Sequence, residues 1–309
     1  MPLAISLPHI GTAGWSYPQW DGIVYPKPQT RGLHPLEYMS RFVDLVEVNS
    51  SFYRPLQPEV TKVWIKKVEA NRNFRFTAKL HQRFTHWRTL QEGEVKEFKD
   101  GLTPLLRAGK LGALLMQFPW SFRFTAENRD FLIQLRRAFH EFPLVAEMRH
   151  ASWMSDEGLG TFIDYKLGFC NIDQPEYTKA MPPTSFLTSA VGYVRLHGRN
   201  PGNSLGAFQA DAPRQQQHNY LYSPGELMDW KKRIEKLKRH AEEVYVVFNN
   251  DPLGKSLVNS LQMQHAFDSE RRLAPYPLLC RYRMELEPFT ASRRAMDADH
   301  RQPCLFEAA

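Results

Sequence analysis

The chain predicts an α/β protein folded as a closed, parallel, eight-stranded (β/α)8 barrel, and three observations carry that prediction. Eight short apolar runs are spread over about 250 residues, the size such a barrel needs. Segments of helical period separate most of them, and nearly every run ends in polar or charged side chains. A doubly wound open sheet is the competitor. It would open a helix with Gly-x-Gly-x-x-Gly and place polar strand ends at only one or two points, and the chain does neither.

In order, the runs are HIGTAG (9–14), DLVEVN (44–49), FRFTAK (74–79), GALLMQF (112–118), LVAEMR (144–149), LGFCNID (167–173), GYVRLH (192–197) and VYVVFN (244–249). The second sets the pattern, because it carries Glu47 in its middle, where an unpaired buried carboxylate is costly. Glu47 is therefore paired or functional. Alternation puts Leu45, Glu47 and Asn49 on one strand face. Between the runs the period changes to three and four. Val60, Val63, Trp64 and Val68 mark one helix, and Val95, Phe98, Leu102, Leu105 and Leu106 another. Phe131, Leu132, Leu135, Phe139 and Phe142 follow a Thr125 cap, with Asn128 three residues on. Leu227, Trp230, Ile234, Leu237 and Ala241 form an amphipathic helix with a basic outer face. The basic runs at 62–67 and 231–240 are read as solvated helix exteriors.

Two connections depart from the pattern. Pro182 and Pro183 make 176–190 a poor helix, and the long polar segment from Asn200 to Ser223 after the seventh strand reads as a lid. Beyond Phe267 the period fades, so we expect a barrel domain at 1–267. Residues 268–309 then form a partly disordered extension ending in a mobile tail.

Hydrophobic residues make up 42% of the 309 and no run approaches a membrane span, so no membrane association is expected. The N-terminus has no basic n-region and is not read as a signal peptide. Cys170, Cys280 and Cys304 are far apart with no CxxC pair, which argues against a disulfide framework and for a reducing cytoplasm. A net charge of +7 leans toward anionic partners.

Chemistry in such barrels sits at the carboxyl ends of the strands. Those ends supply Trp15; Glu47 and Asn49; Lys79; Gln117; Glu147 and Arg149; Asp173; Arg195, His197 and Arg199; and Asn249, Asn250 and Asp251. Glu47 with Asn49, Glu147 with Arg149, and Arg195 with His197 match in parity and share faces. The expected catalytic set is Glu47, Glu147, Lys79, His197 and Asp173. The expected substrate-binding set is Trp15, Asn49, Tyr53, His86, Gln117, Arg149, Arg195, Arg199, Asn249 and Asp251. A carboxylate serves as general acid or base, Lys79 and the arginines hold an anion, and His197 moves a proton. Trp15 and Tyr53 are placed to stack a sugar or base. On this reading Glu47→Gln or Glu147→Gln spares folding and abolishes turnover. The competing account is a structural ion-pair network plugging the barrel mouth. No cofactor is evident. His81, His86, His150 and His197 follow strand ends without HExxH spacing, so a divalent metal assembled from separate strands stays open as an alternative.

The strings GTAGWSYPQWDGIVYP, VEVNSSFYR, FTAKLHQRFTH, LGALLMQFP, EMRHASW, YVRLHGR and VVFNND, in this order over about residues 9–265, resemble the YecE-like family, also called domain of unknown function 72. The resemblance implies a TIM-barrel fold. It implies no reaction, since the family's activity is unsettled. Its characteristic positions fall on Gly14, Trp20, Phe52, Thr85, Pro119, Trp153, Gly198 and most of the site residues above. Ala13 stands where that motif more often has serine or cysteine, which makes a reactive side chain there dispensable, and Ser51 replaces the usual threonine.

QPCLF near the end of the chain is similar to the pentapeptide by which bacterial DNA-processing proteins dock on the sliding clamp, with Gln302, Leu305 and Phe306 as anchors. A chance apolar spot in the tail is the plainer account. The functional expectation is an enzyme using acid/base chemistry on an anionic substrate, either a phosphate-bearing small molecule or one derived from nucleic acid. The alternative is a DNA-binding accessory of DNA metabolism recruited to the sliding clamp by that tail.

Overall fold

The structure is a computed structural model describing residues 7–27, 34–200 and 218–291. Eight strands, β1 His9–Ala13, β2 Leu45–Val48, β3 Arg75–Lys79, β4 Leu111–Gln117, β5 Leu144–Glu147, β6 Gly168–Asp173, β7 Val191–Leu196 and β8 Glu243–Phe248, pair in parallel in chain order. β8 returns to β1, so the barrel is closed. Each apolar run holds one strand, with ends shifted by only one or two residues. The predicted fold class is the observed one.

Around it lie α1 Pro35–Met39, α2 Pro58–Lys67, α3 Gln82–Thr85, α4 Glu92–Arg107, α5 Ala126–Ala138, α6 Asp156–Asp164, α7 Pro224–Lys238 and α8 Lys255–Asp268. Local chemistry fixes their starts. The Thr125 hydroxyl accepts from the Asn128 amide at 3.2 Å to cap α5, and Ser223 with Glu226 forms a reciprocal capping box on α7. α7 buries Leu227, Trp230, Ile234 and Leu237 against Val194, Leu196, Val246 and Phe248, which face outward from β7 and β8.

Between β6 and β7 the described chain has no helix, as the prolines predict. A side chain holds this connection instead of an apolar helix face. The outward-facing Asn171 accepts from the Thr184 hydroxyl and the Phe186 amide, each at 2.7 Å, and donates to the Phe186 carbonyl at 3.0 Å.

Inside the lower barrel Tyr245 stacks on His9, with ring centroids 5.4 Å apart. Gly112 makes room for it, because a Cβ there would lie 2.1 Å from the Tyr245 ring. The β3–β4 register slips beside this point, between Phe76 and Thr77.

The fading period after Phe267 does not mark the end of packed structure. Two further helices, α9 Tyr276–Arg281 and α10 Arg283–Leu286, bury Leu278, Tyr282 and Leu286 in the main core. Most of the expected lid (201–217), and Gln302, Leu305 and Phe306 with the rest of the tail, lie outside the described residues. No described helix is long and apolar enough to cross a membrane.

Candidate active site

Side-chain parity decides which strand-end residues meet. Glu47 on β2 and Glu147 at the end of β5 both point into the lumen and are fully buried, and Arg195 on β7 lies buried between them. Its Nη2 donates to Glu47 Oε1 at 2.8 Å and its Nη1 to Glu147 Oε2 at 2.5 Å. One guanidinium thus spans the barrel. Two more cations complete the pairing. Lys79 Nζ lies 3.9 Å from Glu47 Oε1, and Arg149 Nε and Nη2 lie 2.9 and 2.8 Å from Glu147 Oε1. Gln117 Oε1 accepts from Arg195 Nη1 at 3.3 Å. The Tyr193 hydroxyl donates to Glu47 Oε2 at 3.0 Å and lies 2.8 Å from Thr77 Oγ1.

Burial alone would raise the Glu147 carboxyl, but Arg195, Arg149 and His197 overcome it and hold the group well below the usual carboxylate range. It has no proton to give near neutral pH. His197 is buried beside it, with Nε2 3.3 Å from Glu147 Oε1 and Nδ1 2.9 Å from the Asn249 amide nitrogen. Nε2 also lies 3.3 Å from Arg149 Nη2 and 3.4 Å from Arg195 Nη1, so the donor and acceptor roles of the two ring nitrogens follow from the tautomer. Desolvation, aided by Arg149 and Arg195, pushes His197 well below its ordinary value, so the ring is neutral.

Above this floor lies a cationic rim. Lys79 Nζ lies 5.8 Å over the Phe52 ring and the His86 ring meets that ring edge-on at 5.3 Å, so the two flank one aromatic side chain at the mouth; desolvation, with Lys79 and Arg149, lowers the His86 pKa. His86 Nδ1 is 2.9 Å from the Thr85 hydroxyl. Buried Asn49 Oδ1, Asn249 Oδ1 and Arg195 Nε have no hydrogen-bond partner in the structure. Such groups are rare unless a ligand or ordered water meets them. Asn49 is steadied by a bond from its Nδ2 to the Tyr17 hydroxyl at 3.3 Å.

Asp173 and Arg199 do not join this centre. Cys170 and Ile172 take the lumen face of β6, so Asp173 points outward, in register with the outward Leu196. Its carboxylate takes Arg199 Nε at 3.1 and 2.8 Å, and Arg199 reaches Glu226 at 3.2 Å, whose Oε1 also accepts from the Tyr220 hydroxyl at 2.6 Å. Burial outweighs the guanidinium and raises the Asp173 pKa. This second cluster borders a cavity of about 510 Å³ next to Gln174, Tyr177 and Met181. Asp251 turns to the first loop, where its carbonyl accepts from Trp20 Nε1 at 2.9 Å. Trp15 packs edge-on against Trp64 at 5.1 Å and is occupied in packing, whereas Tyr53 stays 54% exposed. Tyr193 and Thr77 were missed by the sequence reading, though counting back two residues from Arg195 and Lys79 finds both. Among the described residues no group of three or more His, Cys, Asp or Glu side chains is arranged to hold a metal.

A closed (β/α)8 barrel with a buried arginine bridging two glutamates, beneath a cationic rim at its carboxyl end, defines the class of protein this is. The chain belongs to the family described as "Protein of unknown function DUF72", whose family model matches residues 9–279. It is 31% identical over 290 residues to the UPF0759 protein YunF of Bacillus subtilis (strain 168), covering 87% of this chain and 98% of that one. The UPF0759 protein YecE of Escherichia coli (strain K12) is 29% identical over 116 residues, 37% of this chain and 38% of its own. Crystal structures of DUF72 family proteins from Thermotoga maritima MSB8 and Enterococcus faecalis V583 each match with a TM-score of 0.72, at 27% and 26% identity. They cover 84% and 85% of this chain, and 99% and 96% of theirs.

Proposed function

We propose that the chain is an enzyme that binds an anionic substrate, phosphorylated or nucleic-acid-derived, at the carboxyl-end rim and works on it by acid/base chemistry. The observation that carries this reading is the placement of Lys79 and His86 against one Phe52 ring, beside a floor where three cations, Lys79, Arg149 and Arg195, meet two glutamates. One positive charge is left in excess there, and a bound phosphate or carboxylate offsets it.

The roles shift accordingly from those expected of the sequence. Glu147 orients and polarises His197, as a carboxylate does in a histidine–carboxylate pair, and does not itself transfer the proton. Glu47 balances Arg195 and Lys79. His86 is the group whose protonation state a bound anion changes: the anion raises its depressed pKa, so substrate binding loads it with the proton it then donates.

The test is the titration of the His86 ring by NMR, with and without inorganic phosphate, beside calorimetry on Lys79→Met. Phosphate is expected to move the His86 pKa upward, and Lys79→Met to weaken phosphate binding about tenfold, near the strength of one charge-assisted contact. An unmoved His86 titration removes the anion site.

A further inference from the structure

The paired floor and cationic rim account for an anion, but not for two large aromatic rings left in solvent beside them. Tyr53 and Trp87 are 54% and 59% exposed. They belong to one ledge built from the loops after β2 and β3. Phe52 meets Tyr53 and His86 edge-on at 5.1 and 5.3 Å, and the His81 ring, hydrogen-bonded to the Tyr53 backbone, meets Trp87 edge-on at 6.4 Å. The ledge is continuous with the anion site, because Lys79 Nζ lies 5.8 Å over the Phe52 ring and His86 belongs to both. Arg83, paired with Glu94 at 2.6 Å, stacks 6.0 Å from Trp87 and holds it in place.

We propose that this ledge is a stacking platform for a nucleobase, so that the anion held by Lys79, Arg149 and His86 is the phosphate of a nucleotide. The proposal rests on the anion reading above and names its substrate class. Two observations favour a base over a bare sugar. The four side chains Phe52, Tyr53, His86 and Trp87 bring no carboxylate or carboxamide to take sugar hydroxyls, whereas every base offers a π-face that needs none. Cations stand over the ledge at two points, Lys79 over Phe52 and the Glu94-paired Arg83 over Trp87, and the Lys79 end, where His86 also lies, is the one complementary to a phosphate. A nucleotide can come free or as an unpaired unit of a single strand, and the chemistry at the ledge is the same for both.

The experiment compares, on the full chain, binding of inorganic phosphate, ribose 5-phosphate, adenosine 5′-monophosphate and 5′-phosphorylated oligothymidylates of increasing length. Adenosine monophosphate is expected to bind roughly tenfold or more tighter than ribose 5-phosphate, the worth of one stacked base. Trp87→Ala and Tyr53→Ala, at exposed positions, should each remove that advantage, and Trp87→Ala should leave ribose 5-phosphate binding untouched. Equal binding of the two monophosphates by the native chain, or equal weakening of both by the alanine variants, overturns the ledge while leaving the anion site standing. If neither phosphate nor ribose 5-phosphate binds at all, the anion reading fails and takes this one with it. Affinity that grows with strand length identifies the single strand as the source, and affinity independent of length identifies the free nucleotide. Both results support the platform.

Discussion

At the level of single residues, Arg195 is the side chain whose loss would cost most. It is buried between two buried carboxylates, and such a group is far dearer to break than it is worth when formed, because each orphaned charge keeps its full desolvation penalty. Arg195→Met is therefore expected to cost about 3–5 kcal/mol of stability, read from urea unfolding. Glu147→Gln should fall in the same range, since it leaves Arg195 and Arg149 without their shared carboxylate. This corrects the expectation that the glutamine variants spare folding. That expectation came from seeing an acid at a strand end without seeing its partners, which arrive from strands far away in the chain. A loss under about 1 kcal/mol in both variants would show that the ion pairs are solvated and the mouth is open to water.

Elements were the most legible scale, because period and turn chemistry are local properties. The runs, the Thr125 cap and the proline-broken connection after β6 all follow from neighbours in sequence. What was not legible is where a face points once the sheet closes. Asp173 ends its strand as Glu147 ends its own, yet one residue of parity sends it outward to Arg199, while the overlooked Tyr193 points inward to Glu47. Closure also explains Gly112, whose role depends on a tyrosine two-fifths of the chain away. Gly112→Ala is expected to destabilise by about 1–3 kcal/mol through overpacking against Tyr245. In a Tyr245→Leu background the same change should cost less than about 1 kcal/mol, the signature of two sites in contact. Additive costs in that double-mutant cycle would mean that the ring does not occupy the space the glycine leaves.

For the whole molecule the charge pattern predicts acid lability that starts close to neutrality. Among the described residues His34, His81, His86, His150 and His197 all have pKa values lowered from 6.5, with burial the leading cause in each. Below pH 6.5 the unfolded chain therefore binds more protons than the folded one, and stability falls as pH falls, by at most about 1.4 kcal/mol per pH unit for each histidine. Glu147 adds a second loss of the same sign below its unperturbed value of 4.5, as acid reaches its depressed native pKa. Asp173, whose pKa is raised, opposes them with a contribution of the other sign. The expected result is a urea midpoint lower at about pH 5.5 than at about pH 7.5. The difference should survive a change from about 0.1 to 1 M salt, because buried groups are poorly screened. Phosphate ties this to the site. If an anion between Lys79, Arg149 and His86 lifts the His86 pKa, added phosphate should stabilise the protein more at pH 5.5 than at pH 7.5, since the proton taken up by the complex is then counted in its favour. Equal midpoints at the two pH values would mean that the histidines are solvated in the folded state. A phosphate effect independent of pH would separate anion binding from His86.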